Sequence, residues 1–463
     1  MIHKDTICAI STAPGSGGVA IIRVSGEDAI SVCNKIFISE TGKDIITQKP
    51  YTLQYGSIRD KEELIDEVLV AVFHAPHSFT GEDTVEINCH GSIYIQQCIL
   101  RILIENGCRT ALPGEYTQRA FLNGKMDLSQ AEAVTDLIAS SSAGMHKLAL
   151  NQMRGGFSNE LIKLRTRLLD FSSLIELELD FSEEDVEFAN RENLKQLADK
   201  IEQTIGKLAN SFSIGNAIKH GIPVAIIGET NAGKSTLLNQ LLGEDKAIVS
   251  DIHGTTRDAI EDTVNIGGVT FRFIDTAGIR STDDKIESIG IERSFQKLEQ
   301  AAIVLWIIDL TSPDSQTEQL ANIILPKTEG KQTILVFNKT DLLTEEQLKH
   351  KQTLLKNVSA THMYISAKKE NCTEEIKRLL LQSSSLPDLT KDDIIITNIR
   401  HYEALKKAQT AIQRVQEGLS NNISGDFLSQ DIHECTHYLG EITGQISDKD
   451  ILNHIFERFC IGK

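Results

Sequence analysis

The chain has 463 residues, of which 40% are hydrophobic and 24% charged, a composition ordinary for a globular protein. Its length exceeds what one hydrophobic core organises, so two to four domains are expected. A formal net charge of −18 excludes a protein that coats nucleic acid along its length, although not a local basic patch. No run of 18 or more apolar residues suggests a membrane span, and the opening residues lack the apolar core of a signal peptide. The eight cysteines (8, 33, 89, 98, 108, 372, 435 and 460) form no C-x-x-C pair, so reduced thiols in a cytoplasmic protein are expected.

The first 125 residues read as a mixed α+β unit. "DTICAIST" and "GVAIIRVSG" read as strands; Ser25 then opens a helix with Asp28 as its capping-box partner. "YTLQYGSI", "DEVLVAVFHA" and "DTVEINCHG" read as further strands, and "SIYIQQCILRILIENG" as a closing helix. Residues 126–217 read as helical: Leu161, Leu164, Leu168, Phe171 and Ile175 form one broad stripe suited to helix packing, and Glu183-Glu184-Asp185 reads as a solvated loop or helix start. Residues 218–383 alternate strand and helix. The short apolar runs "IPVAIIG", "VTFRFIDTAG", "AIVLWIID" and "TILVFN" are those of a parallel sheet covered on both faces. Residues 384–463 return to helix, with Ser447 and Asp450 as a capping box for the last one. The fold class expected is therefore multidomain: an α+β N-terminal domain, a discontinuous all-α domain, and an α/β P-loop domain inserted into it.

"GETNAGKS", Gly228 to Ser235, fits G-x-x-x-x-G-K-[ST] between a strand and a helix. Its glycines let backbone N–H groups curl around phosphate oxygens. Asn231, Ala232, Gly233, Lys234, Ser235 and Thr236 are the candidate phosphate residues, with Lys234 neutralising charge and the Ser235 hydroxyl on Mg²⁺. "DTAG", Asp275, Thr276, Ala277 and Gly278, ends a strand where a carboxylate reaches Mg²⁺ through water. "NKTD", Asn338, Lys339, Thr340 and Asp341, ends another. Asp341 there can accept two hydrogen bonds from a guanine edge, which adenine cannot supply. Ser366, Ala367 and Lys368 follow as a second base loop. The set resembles the signature of Ras-like GTPases and makes the nucleotide GTP. "SDIHGTT", with Ser250, Asp251, Ile252, His253, Gly254, Thr255 and Thr256, supplies the switch threonine, Thr256, as a second Mg²⁺ ligand. Where many small GTPases place a water-orienting Gln after "DTAG", this chain has Ile279.

"GGVAIIRVSG", "SFTGEDTVEI", "PGEYTQRAFLNGKMDLSQAEAV", "IGIER" and the tail "FCIGK", together with the GTPase motifs, resemble the bacterial tRNA-modification GTPase family MnmE (TrmE) over nearly the full length. The resemblance implies a folate-binding, dimerising N-terminal domain, a split helical domain, an inserted G domain and a homodimer. It implies action with an FAD-containing partner, MnmG (GidA), on carbon 5 of the wobble uridine of certain tRNAs. The one-carbon unit comes from 5-formyl- or methylene-tetrahydrofolate, and FAD is expected on the partner. It further implies K⁺ beside the phosphates at Asn231, Ser250, Ile252 and Thr255, although the family commonly has Thr where this chain has Ser250. Glu287 matches the acid that orients the attacking water, and Arg23, Glu86, Lys125 and Lys463 match folate contacts.

The tail has the outline of a prenylation signal, but Gly462 and Lys463 suit lipidation poorly and no polybasic stretch precedes Cys460. Phe456, Phe459 and Ile461 read as packing residues that deliver Lys463, and Cys460 as a positioning residue rather than a reactive thiol. His433 and His437 flank Cys435 at helical spacing and read as an ordinary helix face. The leading alternative is a ribosome-assembly GTPase switch, which would carry a KH-type RNA module after the G domain, where only helical patterns occur. A membrane-remodelling GTPase would need a lipid-binding segment, and a folate-responsive regulator would show no modification chemistry.

Overall fold

The computed structural model describes residues 5–180, 191–244, 262–274, 298–358, 360–368, 372–384, 394–421, 423–446, 452, 455–457, 459 and 462, with the backbone alone at 177–180 and 244. The chain divides into two compact units, one made of Met1–Ile138, Leu150–Gly206 and Glu403–Lys463, the other of Ala139–Ala149 and Lys207–Tyr402. The second unit is thus built from two segments, one short and one long, inserted in the sequence of the first. The acidic run 183–185 and the capping pair Ser447/Asp450 lie outside the described residues.

In the first unit, β1 (Ile7–Ile10), β2 (Gly17–Ser25), β3 (Phe37–Ser39), β4 (Leu53–Asp60), β5 (Glu63–Phe73), β6 (Thr84–Gly91) and β7 (Arg109–Thr110) form one sheet in the order β3-β4-β5-β6-β2-β1-β7. All pairs are antiparallel except β1–β7. Burial alternates along the middle of β5. Val68, Val70 and Val72 of β5 are buried while Glu67 and Leu69 face outward, as in a sheet with one covered face. Helices α1 (Ala29–Ile36) and α2 (Ile93–Glu105) close the covered face with Ile30, Val32, Ile99 and Leu103. Ser25 does not open α1, which corrects the sequence reading. Its hydroxyl is taken by Thr80 Oγ1 (2.7 Å) and Glu82 Oε2 (2.9 Å), so Ser25 ends β2 and the helix starts at Ala29.

Helices α3 (Glu115–Leu122), α4 (Leu128–Ile138), α5 (Ala143–Met153), α6 (Gly156–Asp180) and α7 (Arg191–Asn210) follow. The stripe of α6 is buried throughout, Ile175 being 2% exposed, and α6 packs on the helix Gly425–Thr443, whose Leu428, Ile432 and Leu439 are also buried. Helix α7 meets Ile399–Ser420 through Gln409–Glu202 (2.9 Å) and Gln416–Asp199 (2.7 Å). Among the described residues no helix is long and apolar enough to cross a membrane.

In the second unit, α8 (Phe212–His220) leads into β8 (Ile222–Gly228), α9 (Lys234–Glu244), β9 (Asp262–Ile266), β10 (Val269–Ile274), β11 (Ile303–Asp309), β12 (Gln332–Asn338) and β13 (Thr361–Tyr364). The sheet order is β13-β12-β11-β8-β10-β9, parallel except for the hairpin β9–β10, which the sequence reading did not separate. Both faces are covered, as the continuous apolar runs required. In β11, Ile303, Leu305 and Ile307 enter one core while Val304, Trp306 and Ile308 enter the other. The neck of this unit is fastened: Ser211 Oγ accepts from the Ile396 amide (3.1 Å), and Phe212 stacks on Tyr402 with ring centroids 4.6 Å apart.

Candidate functional site

Open α/β sheets place ligands beyond the carboxyl ends of their strands. There, Gly228 ends β8, Asn338 ends β12, and Ser366 follows β13. Between β8 and α9 the backbone curls. Asn231 has φ 63° and Gly233 φ 101°. A Cβ at residue 233 would overlap Asn338 Nδ2, so the close approach requires glycine. Lys234 begins α9 and folds back to donate to the carbonyls of Gly228 (2.7 Å) and Glu229 (2.5 Å). Both acceptors are neutral. Burial lowers its pKa below the ordinary lysine value, and the Glu229 charge only partly opposes this. A half-buried ammonium beside a helix N-terminus is an anion site. Ser235 and Thr236 occupy the first turn of α9.

Asn338 is 2% exposed and binds the three segments together. Its Nδ2 donates to the Ala232 carbonyl (2.7 Å), and its Oδ1 accepts from the Ala367 amide (2.9 Å). Lys339 holds a left-handed backbone, φ 69°. Its ammonium lies 2.5 Å from Asp309 Oδ2. Thr340 N donates to Ile365 O (3.2 Å), which aligns the turn carrying Asp341 with the chain leading to Ser366, Ala367 and Lys368. Ser366 Oγ is buried with no hydrogen-bond partner among the described residues, an orphaned group beside the base loops. The candidate phosphate residues and both candidate base loops are therefore brought together. Ser250, Asp251, Ile252, His253, Gly254, Thr255, Thr256, Asp275, Thr276, Ala277, Gly278, Ile279 and Glu287 lie outside the described residues.

A second constellation occupies the outer face of the N-terminal sheet. Arg23 of β2 stands directly opposite Glu86 of β6 and pairs with it at 2.8 Å. The guanidinium lies over the rings of Phe79 (5.5 Å) and Tyr116 (5.6 Å). The Tyr116 hydroxyl donates to the Arg23 carbonyl (2.7 Å), and burial raises its pKa well above the usual phenol value. Lys125 Nζ donates to Pro76 O (2.9 Å), so the loop between β5 and β6 touches both basic residues. Helix α3 is anchored by Glu115, which accepts from Arg109 (2.6 Å), Arg119 (2.9 Å) and the Leu112 amide (2.8 Å). The tail reaches this unit. Phe456 and Phe459 are buried against Leu128 and Ala131, and Gly462 O accepts from Ser11 Oγ (3.1 Å). Ile461, Cys460 and Lys463 lie outside the described residues. His433 faces Glu176 (3.3 Å) and His437 faces Glu441 (3.0 Å), while Cys435 is buried on the other side of that helix.

The family model described as the MnmE helical domain matches residues 128–460, and that described as the GTP-binding protein TrmE N-terminus matches residues 6–125. The chain belongs to the MnmE family of tRNA modification GTPases. It is a GTP hydrolase by that membership. A relative from Bacteroides thetaiotaomicron named tRNA modification GTPase MnmE is 62% identical, with 100% of each chain covered. One of the same name from Bacteroides fragilis is 63% identical at the same coverage. A solved structure of Aquifex aeolicus Era bound to GDP and aluminium fluoride aligns over 41% of the chain and 66% of its own, at 30% identity and a TM-score of 0.27.

Motif reading of this MnmE family member missed Asp309, Phe79 and Tyr116. Asp309 carried a signal, because an acid closing an otherwise apolar strand has to be satisfied locally. Phe79 and Tyr116 lie inside quoted motifs, but their meeting over Arg23 depends on pairing across strands that spacing does not encode.

Proposed function

We propose that this GTP hydrolase is K⁺-activated and, with an FAD-containing partner (MnmG/GidA), installs aminomethyl or carboxymethylaminomethyl groups on carbon 5 of tRNA wobble uridines. The carbon derives from 5-formyl- or methylene-tetrahydrofolate. The observation that carries this reading is the pairing, in one chain, of a guanine-nucleotide loop set joined by Asn338 with a ring-flanked arginine beside an anchored tail.

The reading divides the chain into a folate-binding and dimerising domain (1–125), a helical domain (126–217 and 384–463) and a G domain (218–383) within a cytoplasmic homodimer. Asn231 to Thr236 cradle the phosphates, Lys234 neutralises them, Asp341 reads the guanine edge, and Ser366 to Lys368 back the base. Three fit observations support GTP there: the Gly233 cradle, the neutral partners of Lys234 and the orphaned Ser366 hydroxyl. Ser235 and Thr256 would hold Mg²⁺, which supplies charge neutralisation between the β- and γ-phosphates. Asn231, Ser250, Ile252 and Thr255 would hold K⁺, which supplies positive charge where other GTPases use an arginine finger. The left-handed turn at Asn231 fits a residue aimed along the loop. Glu287 orients the attacking water. At the N-terminal site, the Phe79 and Tyr116 rings and Glu86 suit a flat pterin with donor edges, while Lys125 and Lys463 suit its anionic glutamate.

The test is mass analysis of wobble uridines from cells lacking this protein, with hydrolysis measured in K⁺ and in Na⁺. Loss of the modified uridines, and GTP turnover at least about 100-fold faster in K⁺, are expected, since arginine fingers contribute roughly 10³–10⁵-fold. Unchanged uridines, or equal rates in the two salts, would sink the corresponding part.

A further inference from the structure

Lys339 is held at both ends. Its backbone is in the left-handed region, φ 69° and ψ 34°, which is unfavourable for a lysine. Its ammonium is 2.5 Å from Asp309 Oδ2, and the two side chains are only 28% and 11% exposed, so solvent screens this pair weakly. The Asp309 carboxylate is itself fixed, because Oδ1 accepts from both the Thr311 amide (2.9 Å) and the Thr311 hydroxyl (2.7 Å). Burial works to raise its pKa, but the hydrogen bonds from Lys339 and Thr311 prevail and hold it below the usual carboxylate range. Strand register places Asp309 opposite Asn338. The ion pair therefore spans the carboxyl ends of β11 and β12, and the Lys339 stem is drawn across them two residues from Asp341.

We infer that Asp309 is a positioning residue for guanine-nucleotide binding. It extends the four-carbon stem of Lys339 into a flat apolar rail for a purine face. It also anchors the ammonium at the strand ends, so that the stem and not the charged head lies along the base. Thr311 locks the carboxylate so that the rail has one orientation. This role concerns the base, which GDP and GTP share, and not the phosphate chemistry. The inference rests on reading Asn338–Asp341 as the base loop.

The experiment uses the full chain, with fluorescent GDP and GTP analogues for binding and single-turnover hydrolysis for chemistry. Asp309→Asn keeps the shape and removes the charge. It should weaken both nucleotides roughly 10- to 100-fold through faster dissociation, as expected for loss of a charge-assisted contact. The rate at saturation should stay within about twofold, the pattern of lost uniform binding. In a cycle with Lys339→Met the two losses should not add. Unchanged affinity, a fall in rate at constant affinity, or additive losses would each overturn the inference. If Asp309→Asn does not fold, Thr311→Ala decides. It frees the carboxylate without removing it, and GDP release should quicken roughly 3- to 10-fold; unchanged release overturns the inference. Asp341→Asn separates the layers. If it leaves guanine affinity intact, the base-loop reading fails; if it weakens guanine binding and Asp309→Asn does not, only the positioning role fails.

Discussion

The two candidate sites differ in what their charges already touch. Among the described residues Lys234 donates to the neutral carbonyls of Gly228 and Glu229, and burial has lowered its pKa against the opposing Glu229 charge, so an incoming phosphate would meet a cation with no direct carboxylate partner there. Arg23 already faces Glu86 at 2.8 Å and lies over two rings. A ligand there must share a guanidinium whose orientation is fixed. The first arrangement suits strong binding of a highly charged group. The second suits orientation of a flat, weakly charged one, since an exchanged ion pair yields little net energy. Charge supply and geometric control are thus assigned to different units of one chain.

Gly233→Ala should break this contrast most sharply. The added methyl overlaps Asn338 Nδ2, and the backbone there is left-handed, so GTP affinity should fall by roughly 10³-fold. Binding of 5-formyl-tetrahydrofolate, measured by calorimetry on the same preparation, should not change. Parallel losses at both sites would mean that the sites are not independent. Arg23→Ala is the mirror experiment. Folate affinity should fall about 100-fold and GTP affinity stay within about twofold. Unfolding should ease by about 2 kcal/mol, because Glu86 is left half-buried without its partner. A smaller effect is expected from Gly462→Ala, whose methyl would overlap the Ile10 carbonyl at φ 93°. Displacing the tail should weaken folate roughly 10-fold without altering hydrolysis. Equal folate affinity would show that the tail is only a packing element.

The mildest test uses pH. Burial works to raise the Glu115 carboxyl, but hydrogen bonds from Arg109, the Leu112 amide and Arg119 hold it below its ordinary 4.5. A depressed folded-state pKa gives stability that is complete above about pH 4.5 and is lost as pH falls through the lower folded value. Denaturation midpoints of the wild type should therefore decline on the acid side, and Glu115→Gln should flatten that decline. An unaltered acid limb in the variant would assign it to other carboxylates.

Much of this architecture is legible in the sequence wherever one element is long or its chemistry is local. The α6 stripe, the apolar runs of β8, β11 and β12, and the phosphate loop are set by residues near one another along the chain. Other features come from contacts between distant segments. Ser25 looks like a helix cap until Thr80 and Glu82, 55 and 57 positions away, claim its hydroxyl. Strand β7 has two residues and exists only because Ile7 and Cys8 pair with it. Asn338 reads as one of the GTP-binding residues, and its amide is taken up by Ala232 and Ala367. That clamp follows from a sheet order placing β12 and β8 on either side of β11, which no local pattern encodes.

The fastened neck of the inserted unit has a consequence for biosynthesis. Ser211 and Ile396 meet although 185 positions separate them, and α6 finds its partner helix only at Gly425–Thr443. A ribosome adds about 5–20 residues per second, so the insertion alone takes roughly 10–40 s to emerge. Throughout that interval the nascent chain carries Leu161, Leu164, Leu168 and Phe171 without the surface that later covers them. Ribosome-bound chains halted before residue 425 should therefore be cut by protease within α6 far faster than completed chains; equal cutting would mean that a temporary cover forms during synthesis. The neck can close as soon as Ile396 emerges, when only the few dozen residues that complete the bundle remain to be made.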